Sequence, residues 1–222
     1  MNNIYVSEEI ASERIDQILV VSENDNDKLT YGSLCCGPRY RRATWVGCTL
    51  SVFQQLTGIN VIMFYSNILF KGLSMTNTTI TLLIGIVNFL ATLVGLSLLI
   101  CFGRKTLMLI FNALMALTLV LLSYYSFDKN TIGMVTCVLL FICFFEFSSG
   151  PIVWLYMAEI MQDKAVSIGT FLNWFLSLVV SISIPLLVKA MDIGYIFLFL
   201  GVCTTIGTLF ILFFMEETMG KT

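Results

Sequence analysis

The chain has 222 residues, of which 58% are hydrophobic and only 12% charged, with a formal net charge of −2 and a mean hydropathy of +0.91. A soluble domain is about 45–50% apolar and about 25% charged, and a globule this small has too little interior to hide the excess. That excludes a soluble enzyme or a disordered scaffold; the missing basic field excludes a nucleic-acid binder, and the absence of histidine excludes histidine-ligated zinc and Ser-His-Asp chemistry.

Seven of the fourteen acidic residues precede position 28, and residues 1–43 predict a polar cytosolic tail. Its start at Met1 lacks the succession of basic region, apolar core and cleavage site that marks a signal peptide. Glu8 to Val21 predicts a short amphipathic helix, with Ile10, Ile15, Ile18 and Leu19 towards one side. Ser22 to Lys28 predicts a solvated loop. Cys35 and Cys36 read as reduced cytosolic thiols, with palmitoylation beside a membrane helix as the alternative.

After Arg39, Arg41 and Arg42 the character changes. A spanning helix needs about 20 apolar residues to cross about 30 Å of hydrocarbon. Six stretches qualify: Thr44–Phe70, Thr78–Phe102, Thr106–Phe127, Thr131–Ala158, Ala165–Val188 and Ile193–Met215. They are apolar all round, whereas a barrel strand would alternate over about ten residues. The expected fold is therefore an all-α membrane protein, with a six-helix part at 44–215 and a cytosolic C-terminus at 216–222. Connectors after spans one, three and five hold Lys71, Lys129 and Lys189. The other side holds Arg39, Arg41, Arg42, Arg104, Lys105, Lys164 and Lys221, plus Arg14 and Lys28 in the tail. Positive-inside bias then places both termini in the cytosol, with the plasma membrane as the expected location. Asn77-Thr78-Thr79 is a glycosylation sequon on the predicted outer side. The remaining cysteines, at 48, 101, 137, 143 and 203, lie in or beside spans and read as small hydrophobes.

Polar groups in hydrocarbon are expensive and usually face a bundle interior or a water-filled path. Span one carries Gln54, Gln55, Thr57 and Asn60, with Gly58 able to soften the helix between them. Amides that donate and accept suit a ligand rich in hydroxyls; the plainer alternative is that they join neighbouring helices. Span two carries Asn88 and Thr92, one turn apart. Span four carries Glu146, Ser148, Ser149, Gly150, Pro151 and Trp154. Gly150-Pro151 predicts a helix break at membrane depth, a feature tolerated where it lines a cavity. Trp154 beyond it offers a flat face for a pyranose ring, or else belongs to an interfacial aromatic belt. Glu146 reads as a proton site, a substrate contact or a latch partner for Arg104. Span five adds Asn173 beside Trp174.

These residues carry a resemblance. Gln54-Gln55-Leu56-Thr57-Gly58-Ile59-Asn60 followed by Phe64-Tyr65-Ser66 resembles the seventh-helix signature of the sugar porters of the major facilitator superfamily. Ile86-Val87-Asn88 resembles the eighth helix, and Gly103-Arg104-Lys105 the basic motif between the eighth and ninth. Phe145-Glu146, Gly150-Pro151-Ile152-Val153-Trp154 and Ala158-Glu159-Ile160 resemble the tenth, Asn173-Trp174 the eleventh, and Glu217-Thr218-Met219-Gly220-Lys221 the family's terminal signature. The resemblance covers positions 33 to 222, in order. It implies a fold equivalent to helices seven to twelve of a transporter built from two six-helix halves around a central sugar site. It implies that Gln54, Gln55, Asn60, Asn88, Glu146, Trp154 and Asn173 face a monosaccharide. It implies that Tyr65, Gly150 and Pro151 serve gating, and that Arg104, Glu159 and Glu217 form a cytosolic charge network. The chain departs from the family pattern at Val153 and Glu216, where prolines are expected, and at Met219, where a lysine is. In the loop after Glu159 an arginine is missing, with Lys164 the nearest cation. Helices one to six have no counterpart here.

The implied function is transport of a hexose-type sugar by alternating access, without cofactor or covalent chemistry. The expected partners are the sugar, the lipid bilayer and a missing N-terminal half or partner chain. The alternatives are a non-transporting sugar-sensing or regulatory half-protein, and a transporter of another polar solute such as a polyol. A membrane enzyme would need paired catalytic groups, and Glu146 is alone in its span.

Overall fold

The computed structural model of the chain describes residues 30–63 and 76–220. The expected helix at Glu8–Val21, the loop at Ser22–Lys28 and the gating residue Tyr65 lie outside the described residues. A short helix α1 (Tyr31–Cys36) precedes α2 (Arg41–Leu56), which resumes as a helix at 59–63. There follow α3 (Asn77–Cys101), α4 (Arg104–Phe127), α5 (Thr131–Phe147), α6 (Ser149–Ile160), α7 (Asp163–Ala190) and α8 (Ile193–Phe214). With α2 joined to its continuation and α5 to α6, six helical segments among the described residues are long and apolar enough to cross a membrane.

The ends of these segments explain where the sequence reading of the spans needs adjusting. Arg41, Arg42, Arg104, Lys105, Asp163 and Lys189 all lie inside helices rather than in connectors. A charged side chain at a span's end can reach water along its own length while the backbone keeps its internal hydrogen bonds. Where a helix starts at the end opposite the start of α2, a local side chain caps it. Thr76 accepts from the Thr79 N–H, Asn130 from that of Gly133 and Asp192 from that of Gly194.

Two apolar clusters are stacked along the bundle. One gathers Ile62, Ile84, Leu119, Phe141 and Phe197; the other gathers Leu34, Leu50, Met108, Met157 and Ile211. Each spanning helix passes from one cluster towards the other through a polar residue. These are Gln54 and Gln55 on α2, Asn88 and Thr92 on α3, Asn112 on α4, Ser148 and Ser149 at the α5–α6 junction, Asn173 on α7 and Thr204 on α8. All but Asn88 and Thr92 are buried. The bundle therefore holds a polar layer at mid-height. α4 packs closely on α8 and α5, α2 on α7, and α3 on α5. The least covered spans are α3 and α7, with 17% and 11% of their apolar windows buried. They carry large exposed side chains such as Phe89, Leu93, Phe171, Phe175 and Leu178.

Two spans are broken inside the polar layer. At Gly58 the backbone turns to φ +86°, and a Cβ there would stand 2.5 Å from the Leu200 side chain. A glycine meets both demands, the left-handed backbone and the close approach. The second break sits at Ser148 (φ −135°, ψ −96°), not at Gly150-Pro151 as the sequence predicts. Gly150 and Pro151 fall in the first turn of α6, where N–H groups lack helical partners and the missing N–H of proline does no harm. Gly95 of α3 lets its backbone lie against the break, since a Cβ there would meet the Glu146 carbonyl oxygen at 2.4 Å.

Candidate functional site

The amides of α2 and α7 form one connected chain. Gln54 donates through Nε2 to the Ser149 carbonyl at 2.7 Å and reaches that of Gly150 at 3.3 Å. Its Oε1 accepts from Asn173 Nδ2 at 2.7 Å, and the same nitrogen donates to the Ser51 carbonyl at 2.9 Å. Asn173 Oδ1 accepts from Gln55 Nε2 at 2.8 Å. Gln55 Oε1 in turn accepts from Asn60 Nδ2 at 2.8 Å, and that nitrogen also donates to Ser177 Oγ at 2.8 Å. Gln54, Gln55 and Asn173 are buried, while Asn60 and Ser177 are half-buried. The chain thus runs from the broken backbone to a partly open end. Asn60 reaches Gln55 across the turn at Gly58, whose backbone conformation sets their relative orientation.

A second polar group sits on the other side of the break. Glu146 accepts from Asn88 Nδ2 and from Thr92 Oγ1, each at 2.9 Å, with one carboxylate oxygen for each donor. The reading of Glu146 as a latch for Arg104 is not what the fold forms, because Arg104 is engaged by Glu159. A Cβ at Gly150 would lie 3.3 Å from Glu146 Oε2, and the Gly150 carbonyl is the one Gln54 reaches. The break therefore brings both polar groups to one place. Trp154, one turn beyond Gly150, is half-buried against the second apolar cluster. Trp174 is 66% exposed while its neighbour Asn173 is 1% exposed, because successive helical residues point about 100° apart.

At the end of the bundle where α2 begins and α8 finishes, Arg104 Nη2 lies 3.0 Å from Glu159 Oε1, with Nε at 3.3 Å. Glu159 Oε2 accepts from Thr218 Oγ1 at 2.5 Å. Glu217 accepts the backbone N–H groups of Arg104 (2.9 Å) and Lys105 (3.1 Å), so the C-terminal segment supplies the N-terminal cap of α4. Gly103 makes room for it, since a Cβ there would stand 2.2 Å from Glu217 Oε2. Glu216, where the resemblance leads one to expect a proline, pairs with Arg42 at 2.7 Å on an exposed surface. Among the described residues no group of His, Cys, Asp and Glu side chains is arranged to hold a metal ion.

Sequence reasoning missed Asn112, Ser177 and Thr218. Asn112 is buried on α4 and accepts from Ser149 Oγ at 2.8 Å, tying the break to a fourth helix. A single amide in an apolar run was its only signal. Ser177 lies one turn after Asn173, a spacing that the sequence does display.

Residues 5–222 match the family described as "Sugar (and other) transporter". The facilitated trehalose transporter Tret1 of Drosophila erecta is 36% identical over 187 residues, covering 78% of this chain and 22% of that protein. Its namesake from Bombyx mori is 31% identical over 220 residues, covering 91% of this chain and 43% of that protein. Among solved structures, the proton:xylose symporter XylE bound to 6-bromo-6-deoxy-D-glucose is similar with a TM-score of 0.79. Its identity is 25%, and the match covers 95% of this chain and 46% of that one. The inward-open xylose transporter XylE from E. coli gives a TM-score of 0.73 at 28% identity, covering 86% of this chain and 42% of that one. The chain thus spans less than half the length of each of these relatives.

Proposed function

Because the chain belongs to the Sugar (and other) transporter family, we propose that it forms the C-terminal, sugar-binding half of a membrane transporter for a hexose-type monosaccharide. The observation that carries this reading is the amide chain running from the broken backbone at Ser148 to the half-buried pair Asn60 and Ser177. A sugar hydroxyl arriving there exchanges water for groups that both donate and accept. Gln54, Gln55, Asn60, Asn88, Glu146, Trp154 and Asn173 form the sugar-facing set. Tyr65, Gly150 and Pro151 serve gating around the break, and Arg104, Glu159 and Glu217 hold the end near the termini closed. Residues 1–43 and 216–222 are the cytosolic parts, and 44–215 the six-helix half. Both termini face the cytosol, and the plasma membrane is the location. A complementary six-helix half covers the open faces of α3 and α7 and completes the path for alternating access.

A second reading is the disaccharide trehalose, favoured by relatives that are named trehalose transporters. The test is uptake of radiolabelled glucose, trehalose and a polyol in transport-deficient cells making the chain together with a complementary half, with membrane insertion followed in parallel. Saturable glucose uptake is expected. Gln55→Leu removes hydrogen bonds worth about 0.5–1.5 kcal/mol each and should weaken apparent affinity about tenfold without affecting insertion. Uptake of trehalose alone selects the second reading, and uptake of the polyol alone a polyol carrier. Sugar binding without uptake selects a sensing or regulatory role. Unchanged affinity in Gln55→Leu removes the amide chain from the site.

A further inference from the structure

We propose that the groove beside the start of α2 binds one anionic glycerophospholipid, drawn from the leaflet on that side of the bundle. The groove has a volume of about 700 Å³ and lies between α1, α2, α7 and the last residues of α8. That volume falls within the roughly 300–1,000 Å³ of small-molecule sites. Trp45, Cys48, Ile168, Leu172 and Phe214 make its wall apolar, and Arg41 stands at its rim. All these residues lie within the first turns of α2 and α7 or the last turn of α8, which is the depth of an acyl chain's upper segment beneath its headgroup.

The charge at the rim points to an anion. Among the described residues, three spanning helices start at this end. The amide end of α4 is met by the Glu217 carboxylate, and α7 carries Asp163 in its first turn. α2 has neither a side-chain cap nor an acidic residue in its first turn, and instead carries Arg41 and Arg42 there. Glu216 is engaged with the Arg42 guanidinium. Among the described residues, neither Arg39 nor Arg41 pairs with a carboxylate, and no carboxylate lines the groove. A phosphate beside Arg41 answers the guanidinium and the positive end of the α2 dipole together. The acyl chain below it packs along the apolar wall of Trp45, Cys48, Ile168, Leu172 and Phe214. This inference depends on the membrane-spanning fold and stands apart from the sugar reading.

The experiment is native mass spectrometry of the chain released from nanodiscs holding equal phosphatidylglycerol and phosphatidylcholine. One phosphatidylglycerol per chain should be retained in preference to phosphatidylcholine. Arg41→Gln, at an exposed position, should lower that retention about five-fold. Leu172→Trp, which fills the groove and leaves the rim charges alone, should lower it as well, while Lys129→Asn at the opposite end should not. Equal retention of the two lipids, full retention by Arg41→Gln, or no bound lipid would overturn the proposal. So would a thioester-linked acyl group on Cys35 as the groove's occupant.

Discussion

Asn173 is the residue on which the polar layer turns. Its side chain alone joins Gln54, Gln55 and the Ser51 carbonyl, at 2.7–2.9 Å and almost fully buried. Replacing it by leucine leaves an amide oxygen, an amide nitrogen and a carbonyl without that partner. A stranded buried polar group costs about 1–3 kcal/mol in water-soluble proteins, and pairs in membranes average nearer 0.6 kcal/mol because other partners are found. Asn173→Leu should therefore lower stability by about 2 kcal/mol, read as a clear fall in the melting temperature of the detergent-solubilised chain. An unshifted melting curve would show that the amides hold each other without it. Glu146 makes a contrasting case. Its two donors come from α3, a helix largely uncovered, so its hydrogen bonds lie at the edge of the bundle and not in its core.

At the scale of elements, the breaks and caps are cooperative features of more than one helix. The start of α4 is capped by a residue 113 positions away, and the cap fits because residue 103 has no side chain. Gly103→Ala should displace the Glu217 carboxylate, and Glu217→Gln should weaken the same cap directly. Loss of a cap costs about 1 kcal/mol. Since both changes act on one contact, the double variant should cost little more than the costlier single one, with a coupling energy of at least about 0.5 kcal/mol. Additive losses in denaturant unfolding would separate Gly103 from the cap. The break at Ser148 is likewise shared. Gln54 of α2 holds the Ser149 carbonyl, Asn112 of α4 takes the Ser149 hydroxyl, and Gly95 of α3 admits the Glu146 carbonyl. The broken backbone is thus held from three helices at once.

For the whole molecule, lipid tails are as apolar as leucine, so packing and hydrogen bonding rather than water exclusion hold the helices together. That suits a bundle whose outer faces keep Ile100, Phe171, Leu186 and Phe213 exposed. The topology proposal makes a direct prediction. Asp128, at the turn after α4, and Cys35, on α1, are both exposed. In intact cells an impermeant thiol reagent should label Asp128→Cys from outside and leave Cys35 and Cys36 unlabelled until the membrane is opened. The reverse pattern would invert the orientation.

Much of this was legible in the sequence because a bilayer imposes a length and a polarity on each span, and both are written in consecutive residues. The six spans, the amides of α2 and α7 and the polar character of Glu146 could all be read that way, whereas the grouping of Arg104 with Glu159 and Glu217 followed only from the resemblance to the sugar porters. Which polar groups meet is a different matter, because hydrogen-bond partners are set by helix rotation and by contacts across more than a hundred residues. Only the tertiary structure paired Glu146 with Asn88 and Thr92, recruited Asn112 and Ser177, and moved the break from Gly150-Pro151 to Ser148, where the free backbone groups find partners.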